Sequence, residues 1–148
     1  MHTECYCTQF RRAIHALTRA YDNELQPVGL RITQLSVLRA LARLKEASIT
    51  ELASELSLSR TTISRNLKPL FKAGWIKIKS SADKRECIIK LNKSGYSVLK
   101  QANPYWNKAQ KLVEKIVKPY MTTKGSPSLI NVLENLQLIN LGFKFKLT

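Results

Sequence analysis

The sequence predicts a mainly α-helical chain that carries one small β-hairpin. Three observations predict this fold. Apolar residues recur at three- and four-residue spacing through most of the 148 residues, a short turn joins two of the expected helices, and alternating apolar segments lie in mid-chain. Hydrophobic residues make up 44% of the sequence, which is enough for a buried core.

The first two helices follow from periodicity and from their end signals. Residues 5–26 repeat apolar side chains at helical spacing, and Pro27 and Gly29 then favour a stop. A second helix is expected from Thr33, a good N-cap residue. Its buried stripe holds Leu35, Leu38, Leu41, Ala42 and Leu44.

A compact helix pair follows. Thr50 is expected to cap a short helix, Ser57 and Leu58 to form a turn, and Ser59 to cap a longer helix that runs to about Ala73 and ends at Gly74. The spacing predicts that this longer helix buries Ile63, Leu67, Leu70 and Phe71. Two helices joined by a short turn are the helix-turn-helix pattern.

A hairpin and two further helices complete the chain. The segments 75–79 and 87–91 alternate like strands and flank the polar segment 80–85, which predicts a β-wing with a charged tip. A long helix is expected from Asn92 towards Val117, with a kink at Pro104 and an end at Pro119. A final helix is expected to open at Ser126 and to end at Gly142. The fold class is therefore a winged helix-turn-helix.

The charge distribution indicates a polyanionic partner. The formal net charge is +15, and residues 56–100 hold 11 basic and 2 acidic groups. A basic block in mid-chain is typical of a nucleic-acid-binding face, although charge alone does not separate DNA from RNA or anionic lipid. A solvated lysine-rich surface is the alternative reading of the same charge.

The helix after Ser59 is the expected recognition helix. At about 100° per residue, Thr61, Arg65, Lys68 and Lys72 lie opposite its apolar side and include no carboxylate. Arginine pairs with guanine, hydroxyls reach bases or phosphates, and lysine neutralises phosphate. The expected DNA contacts of this helix are Ser59, Arg60, Thr61, Thr62, Ser64, Arg65, Lys68 and Lys72.

The wing tip supplies a second set of expected DNA contacts. Lys84 and Arg85 are cations on a turn, and an arginine on a hairpin suits the narrow minor groove. Asp83 would repel phosphate, so its expected role is to orient Arg85 or an arginine of the recognition helix. Two solvent-exposed loop cations are the competing reading.

Catalysis is not expected from this sequence. The only histidines are His2 and His15, no acidic cluster accompanies them, and no glycine-rich phosphate loop or metal-ligand spacing occurs. We therefore expect no cofactor. Three cysteines without a signal sequence indicate a reducing, cytoplasmic location, and no apolar run is long enough to span a membrane.

The chain resembles the MarR family of bacterial transcription regulators over about residues 5–142. The resemblance rests on the segment Leu58–Leu67, on Asp83-Lys84-Arg85 in the wing, and on Leu91-Asn92-Lys93-Ser94-Gly95. It implies a homodimer with a DNA-binding lobe at 33–91 and dimerisation helices at 5–30 and 92–142. Exposed apolar residues in a monomer favour the same pairing, and two-fold symmetry predicts a palindromic operator.

The resemblance also implies regulation by a small phenolic or aromatic carboxylate, or by thiol oxidation. His15, Tyr21 and Arg39 are candidate polar groups of a ligand pocket, although each more often has a structural role. Cys7 lies near a helix N-terminus with Arg11 one turn later, and both favour the thiolate. Inert packing is the alternative for Cys5 and Cys7, and Cys87 is expected to pack as a small apolar residue.

Two readings of the function stay open at this point. The first is a sequence-specific DNA-binding regulator, expected to be a repressor, that acts as a homodimer. The alternative is a non-specific architectural or RNA-binding winged-helix protein. The sequence does not name the effector or the operator, and it does not separate repression from activation.

Overall fold

A computed structural model describes residues 5–80, 87–121 and 128–137 of the chain. The chain divides into two compact units, one up to Ala109 and the other from Gln110. The mainly α fold with a small antiparallel sheet confirms the predicted fold class. The first unit carries the helix-turn-helix and the sheet; the second holds the end of a long helix and the last helix.

The elements of the first unit follow in a simple order. They are α1 (Tyr6–Leu25), a 3₁₀ turn (Gln26–Val28), α2 (Ile32–Leu44), β1 (Glu46–Ser48), α3 (Ile49–Glu55), α4 (Arg60–Lys72), β2 (Ile76–Ser80) and β3 (Cys87–Leu91). Then α5 (Lys93–Met121) passes into the second unit, which also contains α6 (Leu129–Gln137). Gly29 ends the 3₁₀ turn with a φ of 66°, a conformation that favours glycine.

The sheet has the strand order β1-β3-β2, and both pairings are antiparallel. Ile76 is opposite Leu91 at one end of the β2–β3 pair, and Ser80 is opposite Cys87 at the other. The predicted strand 87–91 is confirmed, whereas β2 is shifted by one residue from the predicted 75–79. The short β1 is not among the strands predicted from the sequence.

One apolar core holds the first unit together. Helices α1 to α4 and strand β3 all contribute fully buried side chains to it, among them Leu25, Leu35, Leu38, Leu41, Leu52, Ile63, Leu70 and Ile89. Burial of each such side chain stabilises the fold by roughly 1.5–3 kcal/mol. The core therefore fixes α4 against α2 and α3 and leaves its other side free.

Two helix caps differ from the predictions. Thr33 does not cap α2, because the helix already begins at Ile32, whose N–H donates to Asp22 Oδ1 of α1 at 2.7 Å. Thr50 does not cap α3. Ser48 does so, because its hydroxyl accepts from the Glu51 N–H at 3.2 Å while the Glu51 carboxylate accepts from the Ser48 N–H at 2.7 Å.

Four further predictions are corrected by the structure. Phe71 is 56% exposed and Leu44 is 38% exposed, whereas both were expected to be buried. The long helix does not end at Pro119 but continues to Met121. The last helix begins at Leu129, with the Ser128 hydroxyl accepting from the Asn131 N–H, while Ser126, Pro127 and the expected end at Gly142 lie outside the described residues.

The start of α5 is fixed against the end of α4. Asn92 Oδ1 accepts from the Gly95 N–H at 2.9 Å, and the Ser94 hydroxyl donates to the Gly74 carbonyl at 2.7 Å. A Cβ on Gly95 would lie 2.1 Å from the Trp75 carbonyl oxygen. This close approach explains the Asn-Lys-Ser-Gly segment, and it fixes where α4 stands relative to the base of α5.

Candidate nucleic-acid interface

The N-terminus of α4 is capped and open to solvent. The Ser59 hydroxyl accepts from the Thr62 N–H at 3.1 Å and lies 2.8 Å from the Thr62 hydroxyl. This confirms the predicted cap. The turn before it contains Ser57 with a φ of 52°, and the Leu58 N–H donates to the Ala53 carbonyl at 2.9 Å. The helix therefore presents free N–H groups and the positive end of its dipole, which suit a phosphate.

The two sides of α4 differ sharply in chemistry. Ile63, Leu67 and Leu70 are buried on the core side. On the opposite side, four predicted contacts are exposed, namely Thr61, Arg65, Lys68 and Lys72. Ser59 and Arg60 are exposed at the helix start, and Thr62 and Ser64 are half-buried beside them. The structure therefore brings all eight predicted helix residues onto one accessible end and side of α4.

This surface has no acidic neighbour in the sequence. Between Glu55 and Asp83 the chain contains six Lys and Arg residues and no Asp or Glu. A helix side of hydroxyls and cations without a carboxylate favours a phosphodiester backbone and the acceptor-rich edge of guanine. This side of α4 is accessible because the opposite, apolar side packs into the core.

The hairpin adds cations that the sequence analysis did not single out. Lys77 and Lys79 of β2 are both exposed, and strand alternation places them on the same face. The alternation of apolar and lysine residues that predicted this strand could also have identified these two lysines as exposed cations. The predicted contacts Asp83, Lys84 and Arg85 lie outside the described residues.

Arg39 of α2 lies at the centre of a cluster that joins three helices. Its guanidinium carbon is 3.8 Å from the centroid of the Trp106 ring, and its Nη2 donates to Asn103 Oδ1 at 3.1 Å. Burial lowers the pKa of Arg39, and the nearby Tyr21 partly offsets this shift. Two of the three predicted ligand residues, Tyr21 and Arg39, are therefore neighbours. His15 is exposed and leaves α1 about 120° away from Tyr21 around the helix.

A polar cleft of about 520 Å³ lies beside this region. Residues of α1, of the following turn and of α2 line it: Arg19, Asp22, Asn23, Gln26, Gly29, Leu30, Arg31 and Gln34. Its volume falls within the range of small-molecule sites. The predicted residues His15, Tyr21 and Arg39 are not among those that line it, and the sequence offered no signal for this cleft because α1 and α2 meet only in the fold.

All three cysteines are free and exposed. Cys5 occupies the N-cap position of α1, where the neighbouring Thr8 N–H, Thr8 hydroxyl and Cys7 N–H favour the thiolate and lower the pKa of its thiol. Cys7, which the sequence analysis singled out as the candidate sensor thiol, is exposed as well, and its sensing role stays a prediction. The expectation that Cys87 packs as a small apolar residue is wrong, because it is exposed at the end of β3.

The described residues offer neither a metal site nor a membrane span. Within residues 5–80, 87–121 and 128–137, no group of three or more His, Cys, Asp or Glu side chains is placed to hold a metal ion. In the same part of the chain, no helix is long and apolar enough to cross a bilayer.

Comparison with known proteins agrees with the geometry. A model of the MarR family matches residues 30–87. The M. tuberculosis transcriptional regulator MosR, solved in complex with DNA, is 32% identical, with 94% of each chain covered and a TM-score of 0.73. The uncharacterized HTH-type transcriptional regulator YwoH of Bacillus subtilis is 27% identical over 95 residues, 64% of this chain and 69% of YwoH.

A more distant structure shares the fold. Bordetella bronchiseptica BpsR, whose DNA binding is regulated by 6-hydroxynicotinic acid, is 13% identical, with 95% of each chain covered and a TM-score of 0.69. Fold and exposed surface together define a winged-helix, DNA-binding transcription regulator. The chain belongs to the MarR family. Family members and structural neighbours are transcription regulators and not enzymes.

Proposed function

We propose that this protein is a homodimeric, sequence-specific repressor that binds a palindromic operator through α4 and the wing. The observation that carries the proposal is the exposed, carboxylate-free side of α4, with Thr61, Arg65, Lys68 and Lys72. Arg65 lies one turn inside the helix and is the candidate for base reading, whereas Lys68 and Lys72 suit phosphates. Asp83, Lys84 and Arg85 are proposed as the wing contacts, with Arg85 in the minor groove.

Exposed apolar stripes support the homodimer. On α1 the exposed side chains recur at helical spacing: Tyr6, Phe10, Ile14 and Leu17. On the second unit the same holds for Leu112, Ile116 and Tyr120 of α5 and for Ile130, Leu133 and Leu136 of α6. A monomer would leave this apolar surface in water, and a second copy offers the same surface for burial. We assign 5–30 and 92–142 to dimerisation and 33–91 to the DNA-binding lobe.

The symmetry of such a dimer fixes the form of the operator. Isologous pairing relates the two copies of α4 by a two-fold axis, so the half-sites form an inverted repeat. Their centres are expected roughly one helical turn of DNA apart, about 34–36 Å.

The Arg39 cluster is the proposed site of a small phenolic or aromatic carboxylate effector. Arg39 uses one donor on Asn103, and its remaining donors suit a carboxylate. Trp106 and Tyr21 supply aromatic surface beside it. BpsR responds to an aromatic carboxylate on the same fold, which supports this chemical class. An effector bound at Arg39 would alter the contacts of α2 with Asn103 and Trp106 of α5, and with them the position of the DNA-binding lobe relative to α5.

Thiol oxidation is the alternative release signal, and a specific observation favours it. Cys5 is exposed, and its hydrogen bonds lower the pKa of its thiol, so the thiolate is accessible to a hydroperoxide. The thiolate attacks the O–O bond, which breaks to give a cysteine sulfenic acid and an alkoxide or hydroxide that takes a proton from water. Cys7, which is also free and exposed, is the second candidate for the oxidised thiol.

Selection of bound duplexes from a random pool tests the proposed function. We expect an inverted repeat whose half-sites are spaced by about one turn of DNA. A variant with Arg65→Ala should select a repeat with one position per half-site relaxed. Recovery of sequences without a consensus would favour a non-specific architectural protein, and preferential binding of RNA would favour an RNA-binding one.

A further inference from the structure

The recognition helix carries an apolar groove that the polar DNA contacts do not explain. A cavity of about 180 Å³ lies between the start of α3, α4 and β2. Six residues line it, and four of them are apolar: Ile49, Leu67, Phe71 and Ile78, with Ser64 and Lys68. Phe71 is 56% exposed and Ile78 41% exposed, so a large part of this apolar surface faces solvent.

The groove is continuous with the proposed DNA-reading side of α4. Ser64, Lys68 and Phe71 recur at four- and three-residue spacing, which places them on one side of the helix. Ser64 and Lys68 belong both to the groove and to the expected DNA contacts. A ligand that covers Lys68 and Ser64 therefore also covers Phe71.

The charges around the groove favour a polyanion as its occupant. Lys68, which lines the groove, and Lys72 lie on either side of Phe71 in the α4 sequence, and both are exposed. In the major groove of DNA, the apolar group presented by a base is the 5-methyl group of thymine. A purely apolar protein partner would not need the exposed cations Lys68 and Lys72 beside the groove.

We propose that the groove formed by Ile49, Leu67, Phe71 and Ile78 receives a thymine methyl group, so that Phe71 reads thymine at one position of each half-site. The inference rests on the proposed DNA-binding function and adds a specificity determinant to it. Lys68 would hold the neighbouring phosphate while its methylene stem closes one side of the groove.

Replacement of thymine by deoxyuridine tests the proposal, because it removes the methyl group and leaves the base pair unchanged. Each thymine of the selected operator is replaced in both half-sites. At one position we expect about fourfold weaker binding per half-site, about sixteenfold for the dimer, which corresponds to burial of one methyl group. Phe71→Ala should bind the thymine and deoxyuridine operators equally.

Two controls keep the result interpretable. Leu44→Ala removes another exposed apolar side chain of the same lobe, outside the groove, and should keep the full thymine preference. Phe71→Leu keeps an apolar lining and should keep part of it. The melting temperature of each variant shows that it is folded.

The outcomes separate this inference from the proposed function. A palindromic operator with no position at which Phe71→Ala abolishes the thymine preference overturns the inference alone. The inference is also overturned if Phe71→Ala weakens binding to the thymine and deoxyuridine operators by the same factor, because the thymine preference of the wild type would then remain. Failure of the selection to give any consensus contradicts the proposed function itself.

Discussion

The guanidinium of Arg39 stacks on the ring of Trp106, with 3.8 Å between the guanidinium carbon and the ring centroid. This contact joins α2, which belongs to the winged lobe, to the middle of α5. A second contact of Arg39, to Asn103, lies one turn earlier on α5. Arg39 is therefore one of the contacts between the lobe and α5, and the hydrogen bond to Asn103 uses only one of its guanidinium donors.

Arg39→Ala should reduce the free energy of unfolding by about 1–2 kcal/mol, because the half-buried cation–π contact and one hydrogen bond are lost. Urea denaturation measures this. Arg43→Ala is the matched control, since Arg43 also lies on α2 but pairs with Glu55 at the surface. Its loss should cost less than about 1 kcal/mol. Equal losses in the two variants would show that the Trp106 contact adds nothing.

Gly95→Ala should destabilise the protein by about 3 kcal/mol or more, because the added Cβ would meet the Trp75 carbonyl oxygen at 2.1 Å. Thermal unfolding checks this. Gly29→Ala is a useful comparison, since its Cβ meets open space and only the positive φ is strained. That variant should lose about 1 kcal/mol. A milder effect at Gly95 than at Gly29 would contradict the packing described for α5.

Ser59→Ala should cost about 1 kcal/mol of stability, because the Thr62 N–H loses its acceptor at the N-terminus of α4. Chemical denaturation gives the value. Ser59→Asp should recover the loss, since a carboxylate also caps a helix. It should nevertheless weaken DNA binding because it places a negative charge at the proposed phosphate site. Undiminished DNA affinity in Ser59→Asp would argue against a phosphate at this N-terminus.

Arg65→Ala and Lys72→Ala should affect DNA binding in different ways. Arg65→Ala should cost about 1–3 kcal/mol on the operator and relax the preference at one base pair. Lys72→Ala should weaken operator and scrambled duplex alike and lower the salt dependence by about one phosphate contact. Fluorescence anisotropy at several salt concentrations measures both. An Arg65→Ala protein with unchanged discrimination would reduce Arg65 to a phosphate contact.

Cys5 should be alkylated as a thiolate at lower pH than an ordinary cysteine, because hydrogen bonds from Thr8 lower its pKa. The rate should rise with pH and level off once Cys5 is deprotonated, at a midpoint below that of an ordinary exposed cysteine. Mass spectrometry of peptides after timed iodoacetamide treatment measures this. Thr8→Ala removes the hydroxyl donor and should move the midpoint upwards. A midpoint unmoved by this change would contradict the stated cause.

Release of DNA by peroxide separates the cysteines. If thiol oxidation is the signal, Cys5→Ser should resist release, and Cys87→Ser should behave like the wild type because Cys87 lies at the end of a wing strand. Cys7→Ser shows whether the second thiol takes part. Equal release in all variants would leave the small-molecule effector as the remaining signal.

Local patterns predicted most of the fold. The helix-turn-helix, the strand 87–91 and the cap at Ser59 follow from spacing and cap chemistry within a few residues, and the structure confirms them. Features that depend on distant partners were missed. The Asp22 carboxylate of α1 accepts a hydrogen bond from the first N–H of α2, that of Ile32. Ile32 rather than Thr33 is therefore the first helical residue.

The candidate site likewise contains residues that local spacing predicted and residues that depend on distant partners. The exposed side of α4 followed from the helical period, because burial of Ile63, Leu67 and Leu70 fixes its opposite side. Phe71 was misjudged because it lies at the border of the apolar stripe, where spacing alone does not decide burial. The Arg39–Trp106 contact joins residues far apart in sequence, and no local pattern reports such a pair.

The ratio of affinities for the selected palindrome and for a scrambled duplex of the same composition, at one stated salt concentration, tests the central claim most directly. We expect the palindrome to bind roughly 10³-fold or more tightly, with two chains per duplex. Nearly equal affinities, or one chain per duplex, would contradict a dimeric, base-reading surface on α4.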